Sequence, residues 1–270
     1  MTNITPHPEF EYLIAKIQEL EKIVASLVNN RDNILFHTNP TLQAEYMLKI
    51  GKIEYAIFEY QCKILRVKRK IEIIQSYLNK DQPYNLDDIE RQLDQEYHEY
   101  TQKLKEKQKE IEKARLISSC GLVPLSKEDS AELRKMYIEI VKKLHPDINS
   151  DPTEEQHGQY IDAVNAYKKG DLIEMRVIYL LLEKTIGFTN SVGNSLNRLR
   201  ERSESLSKLK DHLTNEINEI KERFPYNVMN LLSKKEKLQI KITELSNQLT
   251  DCGVQYNTLD LRLQEILDNE

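Results

Sequence analysis

The chain has 270 residues, of which 31% are charged and 39% hydrophobic, with only 7 Gly and 8 Pro, and this composition favours long helices over a sheet protein. The net charge of −5 argues against a nucleic-acid-binding role for the whole chain, and no apolar run approaches the roughly 20 residues that a membrane helix needs. The N-terminus lacks the pattern of a secretory signal, and the sparse cysteines, Cys62, Cys120 and Cys252, fit a reducing cytoplasm, so we expect a cytoplasmic protein.

The N-terminal part, residues 1–117, is predicted to contain a helix over about residues 10–35, ended by the sequence HTNP. In residues 46–78 the apolar positions alternate steps of four and three, which is the heptad seam of a coiled coil. The sequence NKDQPYN then turns the chain, and Asn85 caps a second long helix with its own seam. A short loop between two such helices, with its turn near 80–85, predicts an antiparallel coiled-coil hairpin.

The C-terminal part, residues 188–270, repeats this design. Two further seams, from Leu196 to Phe224 and from Val228 to Ile266, are separated by the turn sequence FPYN near 224–227. They predict a second antiparallel hairpin. Heptad seams do not reveal whether helices pair within one chain or between chains, so homo-oligomerisation and the binding of a client or partner protein both stay open.

Between the hairpins, in residues 118–187, the heptads stop. Ser126 or Asp129 is placed to cap a helix with an apolar face, and Pro146 should end that helix at the preceding residue. A polar loop follows, then a helix that ends at Gly170-Asp171, then the apolar sequence LIEMRVIYLLLEK. This part therefore predicts a small, separate helical module.

The stretch LRKMYIEIVKKLHPD, a polar loop and YIDAVNAYKKGDL together resemble the J-domain of DnaJ-like co-chaperones. In that family a basic helix leads into a His-Pro-Asp loop, and the antiparallel helix that follows ends in an Ala-Tyr pair. Here the loop is His145-Pro146-Asp147 and the pair is Ala166-Tyr167. The resemblance covers about 70 residues and says nothing about the coiled coils.

The resemblance implies that the partner is a DnaK-type ATP-driven chaperone whose ATP hydrolysis is stimulated by contact with the loop. Pro146 fixes the backbone of the loop, and His145 is expected to hold the helix end through its ring and to favour the helix dipole when protonated. Asp147 then presents an acceptor-only carboxylate to an arginine of the partner. Basic residues of the preceding helix would steer the acidic partner surface: Arg134, Lys135, Lys142 and Lys143.

The sequence therefore predicts an all-α protein in which a J-domain-like helical module is inserted between two long antiparallel coiled-coil hairpins, and which acts as a co-chaperone. The first helix of the family has no copy here, and the end of the 86–117 helix is expected to take its place. Ile138 and Glu139 stand where the family tends to be positive, which keeps open an alternative, a coiled-coil scaffold whose J-like segment is uncoupled from chaperone activity. No phosphate loop, nucleophile elbow or metal-ligand spacing is present, so neither an enzyme nor a metal or other cofactor is predicted.

Overall fold

The computed structural model of the protein describes residues 8–119, 125–149, 152–185 and 196–268, and nearly all of them are helical. No β-strand occurs among these residues, so the predicted all-α class is confirmed. Their α-helices are α1 (Pro8–Asn33), α2 (Asn39–Tyr46), α3 (Lys52–Leu78), α4 (Leu86–Glu96), α5 (His98–Ser119), α6 (Lys127–Leu144), α7 (Glu154–Lys169), α8 (Leu172–Thr185), α9 (Leu196–Glu222), α10 (Met229–Ser233) and α11 (Lys235–Asp268). In these stretches, no helix combines the length and the apolar character that crossing a membrane requires.

The chain divides into two compact units, each built from two separate stretches of sequence. The first unit consists of Met1–Pro40 and Val123–Asn227, and the second of Thr41–Leu122 and Val228–Glu270. This division differs from the three consecutive domains predicted from the sequence, because each unit takes helices from both the N-terminal and the C-terminal parts.

In the first unit, α1 and α9 run parallel to each other. Arg200, near the start of α9, donates to Glu9 near the start of α1 at 2.8 Å, and Arg31 near the end of α1 lies 3.6 Å from Glu216 near the end of α9. The bundle of α6, α7 and α8 packs in the same unit, and α1 also contacts α6. One apolar core joins these five helices, with Val24, Val28 and other side chains of α1 fully buried in it.

In the second unit, the α3 seam is buried at Ile57, Ile64, Ile71 and Ile74, as its heptads predict, and α11 runs parallel to α3. The Tyr60 and Tyr256 rings meet edge to face at 6.0 Å, and further along both helices Ile74 and Leu263 share one buried cluster. On another side, α4 runs antiparallel to α3, because Lys70 binds Glu90 at 2.6 Å while the earlier Arg66 also reaches the later Asp94. The turn between α3 and α4 lies where the sequence predicted it.

The two long helices of the predicted C-terminal antiparallel hairpin, α9 and α11, each pair with a helix from the N-terminal part of the chain. The seam of α9 packs along α1, and that of α11 packs along α3, both in parallel. A heptad seam specifies that a helix has a partner without specifying which helix that is or its direction. The order of turns along the chain therefore did not identify the partner with which each of these long helices pairs inside its own unit.

Two helix boundaries also differ from the predictions. The sequence HTNP does not end the first helix, because a π-helical turn over Ile34–Thr38 leads directly into α2, with the Asn39 amide donating to the Ile34 carbonyl. Such turns occur where the regular hydrogen-bond ladder is interrupted, and Pro40, which lacks an amide, interrupts it here. The helix predicted over 86–117 is divided at Tyr97 into α4 and α5.

Candidate functional site

The helix that leads to the His-Pro-Asp loop, α6, begins and ends as predicted. The Ser126 hydroxyl oxygen accepts the Asp129 amide at 2.9 Å and satisfies one of the free amides of the first turn. The helix stops at Leu144, directly before His145-Pro146, since proline disfavours helical geometry in the residue before it. Its buried face includes Tyr137 and Ile140, which anchor α6 in the core of the first unit.

The helix after the loop, α7, is equally well delimited. Thr153 and Gln156 form a capping box at its start, with side-chain-to-backbone hydrogen bonds of 3.0 and 3.2 Å. It ends at Gly170, whose φ of 70° is a left-handed conformation that glycine adopts at no steric cost. Ala166 and Tyr167, the pair that carries the J-domain resemblance, are both buried.

The loop itself is organised around His145. This side chain is only 7% exposed, and its ring meets the Tyr160 ring of α7 edge to face at 5.2 Å. Its Nδ1 accepts the Asp147 amide at 3.2 Å, and its carbonyl accepts the amides of Ile148 at 2.9 Å and Asn149 at 2.7 Å. His145 therefore accepts hydrogen bonds from the amides of three consecutive residues, Asp147, Ile148 and Asn149.

The structure favours the neutral form of His145. Burial lowers the pKa of the imidazole, and the nearby Asp147 carboxylate opposes this shift only in part. Because Nδ1 accepts a hydrogen bond from an amide, the single proton of the neutral ring lies on Nε2. The expected stabilisation of the helix dipole by a protonated His145 is therefore replaced by a neutral ring that shapes the turn.

Pro146 and Asp147 lie at the exposed tip of this turn. The Asp147 side chain is 59% exposed, and its nearest carboxylate oxygen is 4.0 Å from His145 Nδ1. No side chain in the described part of the chain donates a hydrogen bond to this carboxylate. An exposed acceptor on a fixed turn can receive both N–H groups of an incoming guanidinium.

The four predicted basic residues do not form one cluster. At about 100° per residue, Arg134, Lys135 and Lys142 fall within about 100° of helix surface, and Lys143 lies about 80° beyond the edge of that range. Arg134 donates to the Asn33 side chain of α1 at 3.3 Å, so one of the four is engaged within the unit.

The two residues that depart from the family pattern lie among these basic side chains. Ile138 is half-buried and packs against the apolar core, and Glu139 is also half-buried. The packing of Ile138 gives a structural reason for an apolar residue at that position.

Sequence reasoning missed a polar network that α1 contributes to this module. The Tyr137 hydroxyl donates to Asp32 Oδ2 at 2.6 Å, and Arg31 donates to Asp32 Oδ1 at 2.9 Å. Asp32 is only 2% exposed. The Tyr137 ring stacks on Tyr167 with centroids 4.1 Å apart.

Burial governs the protonation of the phenols in this network. It raises the pKa of Tyr160 to about 12 and that of Tyr137 well above its ordinary range, so both stay protonated at neutral pH. Tyr137 can therefore act as a permanent donor to Asp32. The signal in the sequence was slight: Asp32 stands one step of four after Val28, where the apolar spacing of α1 calls for another apolar residue.

Within the first unit, the helix from the N-terminal part of the chain that packs on α6 is α1. Asp32 meets Tyr137, and the next residue of α1, Asn33, meets the earlier Arg134, so α1 runs antiparallel to α6. The end of the 86–117 helix lies in α5, which belongs to the second unit. The sequence did not predict this pairing because an apolar seam does not determine which helix packs against it.

No family model, no curated protein and no solved structure matches this chain. Within the described residues, no group of three or more His, Cys, Asp or Glu side chains is arranged to hold a metal ion. The predicted function of the loop therefore depends on its own residues and geometry and on the resemblance of the sequence motif to the J-domain family.

Proposed function

We propose that this chain is a J-domain-type co-chaperone that recruits a DnaK-type chaperone and stimulates its ATP hydrolysis through the loop His145-Pro146-Asp147. The observation that supports this proposal best is the exposed Asp147 carboxylate on a turn held by a buried, neutral His145. Because the backbone of the turn is already held, little backbone freedom is lost when an arginine of a partner binds the Asp147 carboxylate.

In this proposal the basic side chains of α6 guide the partner to the loop. Lys135 and Lys142 lie near the centre of the helix face that points away from the core, and Arg134 lies at its edge. A positive face accelerates encounter with an acidic partner surface, and added salt weakens this effect. Lys143, on the opposite flank, contributes less to the same encounter.

The coiled-coil helices would then hold the client or set the oligomeric state, with the J-like module inserted between them and the protein acting in the cytoplasm. The long α1/α9 and α3/α11 pairs support a holding role, because they use much of the described chain. The proposed activity therefore needs no cofactor of its own, because the ATP is bound and hydrolysed by the partner.

The direct test is the steady-state ATPase rate of a DnaK-type chaperone with the full chain added. We expect wild-type chain to raise the rate and Asp147→Asn, which keeps the shape and removes the charge, to lose the stimulation. A matched control is Asp162→Asn, a change of an exposed carboxylate on α7 outside the loop, which should stimulate as the wild type does. Equal stimulation by wild type and Asp147→Asn would contradict the proposed role of the loop.

A second candidate function is a scaffold whose J-like module is uncoupled from any chaperone. The half-buried Ile138 and Glu139 favour it, because they interrupt the positive face of α6. Such a scaffold would give no stimulation with several DnaK-type chaperones, and it would hold a partner equally well with Asp147→Asn.

A further inference from the structure

Only two side chains separate the buried carboxylate of Asp32 from the His145 ring. The Tyr137 hydroxyl donates to Asp32 Oδ2 at 2.6 Å, and Tyr137 is also within hydrogen-bonding reach of the Tyr160 hydroxyl. The Tyr160 ring then meets the His145 ring edge to face at 5.2 Å. Asp32 on α1 is thereby connected, through one side chain of α6 and one of α7, to the residue around which the loop is organised.

The Asp32 carboxylate is itself held in place by charge. Arg31 donates to Asp32 Oδ1 at 2.9 Å, and the same guanidinium lies 3.6 Å from Glu216 on α9. Asp32 is only 2% exposed, so water does not compete with these partners. Charge-assisted hydrogen bonds are short and directional, and they hold the carboxylate in one orientation. Asp32 therefore offers Tyr137 an acceptor at a defined position.

Loss of this acceptor would reach the loop because Tyr137 is fully buried. A buried hydroxyl without an acceptor is unfavourable, and another oxygen within its reach is that of Tyr160. A shift of Tyr160 toward Tyr137 would separate the Tyr160 ring from His145. Since His145 Nδ1 accepts the amide of Asp147, the turn that presents the Asp147 carboxylate would loosen with the ring.

We propose that Asp32 is a positioning residue for the His-Pro-Asp loop. It fixes Tyr137, and through Tyr160 it fixes the His145 ring around which the loop is folded. The role of Asp32 in activity rests on the proposed function of the loop. It extends the working module to α1, whose Asp32 is 105 residues from Tyr137 in the sequence. Residues 118–187 would then be insufficient for full activity, because the loop depends on an acceptor that α1 supplies.

The titration of His145 distinguishes positioning from a simple effect of charge. Burial is the largest cause of the lowered pKa of His145, the carboxylates of Asp147 and Asp32 raise this pKa, and the Arg31 guanidinium lowers it. Removing only the charge of Asp32 would therefore lower the pKa of His145 further. Releasing the ring into solvent would instead raise this pKa toward the ordinary value of 6.5. The two effects have opposite signs.

The first measurement is the pKa of His145 in the full chain, by NMR of isotope-labelled histidine with the signal assigned from His145→Asn. Asp32→Ala removes the acceptor, so we expect the pKa of His145 to rise above that of the wild type. Asp32→Asn keeps an oxygen for the Tyr137 hydroxyl and removes the charge, so the pKa should stay the same or fall.

The control for general destabilisation is Leu206→Ala. Leu206 is buried in the core of the same unit, and its truncation also lowers stability. It lies ten residues before Glu216, so it is about 15 Å along α9 from the Asp32 network. The pKa of His145 should be unchanged in this variant.

The second measurement is the stimulation of a DnaK-type chaperone, at a temperature at which circular dichroism shows every variant to be folded. A misplacement of about 1 Å can cost about a hundredfold in rate, so we expect Asp32→Ala to lose about tenfold or more of the stimulation. Asp32→Asn and Leu206→Ala should retain most of it. Rescue by the asparagine would attribute the effect to the hydrogen bond with Tyr137.

The positioning role is overturned if the pKa of His145 stays the same or falls in Asp32→Ala, since the carboxylate would then act by its charge or not at all. It is also overturned if this pKa rises while the stimulation stays intact, or if Leu206→Ala reproduces both changes. A wild type that stimulates no DnaK-type chaperone would instead overturn the proposed function. The titration of His145 alone would then decide whether Asp32 holds the loop.

Discussion

The two units place their charged residues differently. In the first unit, Asp32 of α1 is buried, with Tyr137 and Arg31 as partners. In the second unit, the α3 seam is apolar, and Arg66 and Glu90 pair at its partly exposed edge. A buried carboxylate depends on its specific partners, whereas an edge ion pair competes with water.

This difference bears on the site, because the buried network lies beside the His-Pro-Asp loop. From Asp32 the network continues to Tyr137, and Tyr160 shares the surroundings of both Tyr137 and the His145 ring. The loop is therefore supported by side chains of α1 as well as by α6 and α7. The edge pairs of the second unit support no comparable feature among the described residues.

The largest expected effect is that of Asp32→Ala. It leaves the buried Tyr137 hydroxyl without an acceptor and removes the closest partner of Arg31, so the free energy of unfolding should fall by about 3 kcal/mol. Urea denaturation followed by circular dichroism measures this change. Asp162→Ala, at an exposed position of the same unit, should change it by no more than about 0.5 kcal/mol. Equal losses in the two variants would remove the distinction between the units.

Tyr137→Phe should have a smaller effect than Asp32→Ala. It removes one hydrogen bond but leaves Asp32 paired with Arg31 and keeps the ring stacked on Tyr167, so we expect a loss of about 1.5 kcal/mol. The same denaturation experiment measures it. The double variant Asp32→Ala/Tyr137→Phe measures the coupling between the two residues. If its loss of stability equals the sum of the two single losses, the 2.6 Å hydrogen bond from Tyr137 to Asp32 contributes no coupling energy.

Several parts of the fold and of the site were predictable from the sequence because they depend on local chemistry. Ser126 and Asn85 cap α6 and α4 as predicted, since a short polar side chain before an apolar run accepts a free amide of the first turn. Pro146 ends α6 and Gly170 ends α7 for equally local reasons. The exposure of Asp147 follows from its place on the turn between these helices.

Other parts were not predictable because they depend on which distant segments meet. Asp32 and Tyr137 are 105 residues apart in sequence, and the spacing of apolar residues in α1 or α6 does not indicate that these two helices meet. The parallel pairing of α1 with α9 was equally unpredictable, because the apolar seam of α9 would fit several partner helices. The neutral state of His145 followed only from its burial, which the motif itself does not state.

The pH dependence of stability should report the buried His145. Burial lowers its pKa in the folded chain below the ordinary value of 6.5, so as the pH falls through about 6.5 the unfolded chain takes up a proton that the folded chain does not. The free energy of unfolding is therefore greatest above this pH and decreases below it. His145→Asn should show a smaller decrease between pH 7 and pH 5 in urea denaturation. An unchanged decrease would mean that His145 is not the group that titrates.

The smallest expected effect concerns the edge pair of Arg66 and Glu90 in the second unit. Both side chains are partly exposed, Arg66 also reaches Asp94 at 2.8 Å, and Glu90 also binds Lys70 at 2.6 Å, so either residue keeps a partner when the other is removed. A double-mutant cycle of Arg66→Ala and Glu90→Ala should therefore give a coupling energy of only about 0.5 kcal/mol. Repeating the cycle in high salt should reduce it further, because exposed charges are screened. A coupling as large as that between Asp32 and Tyr137 would show that the position of a charge, buried or at the edge of a seam, does not decide its contribution to stability.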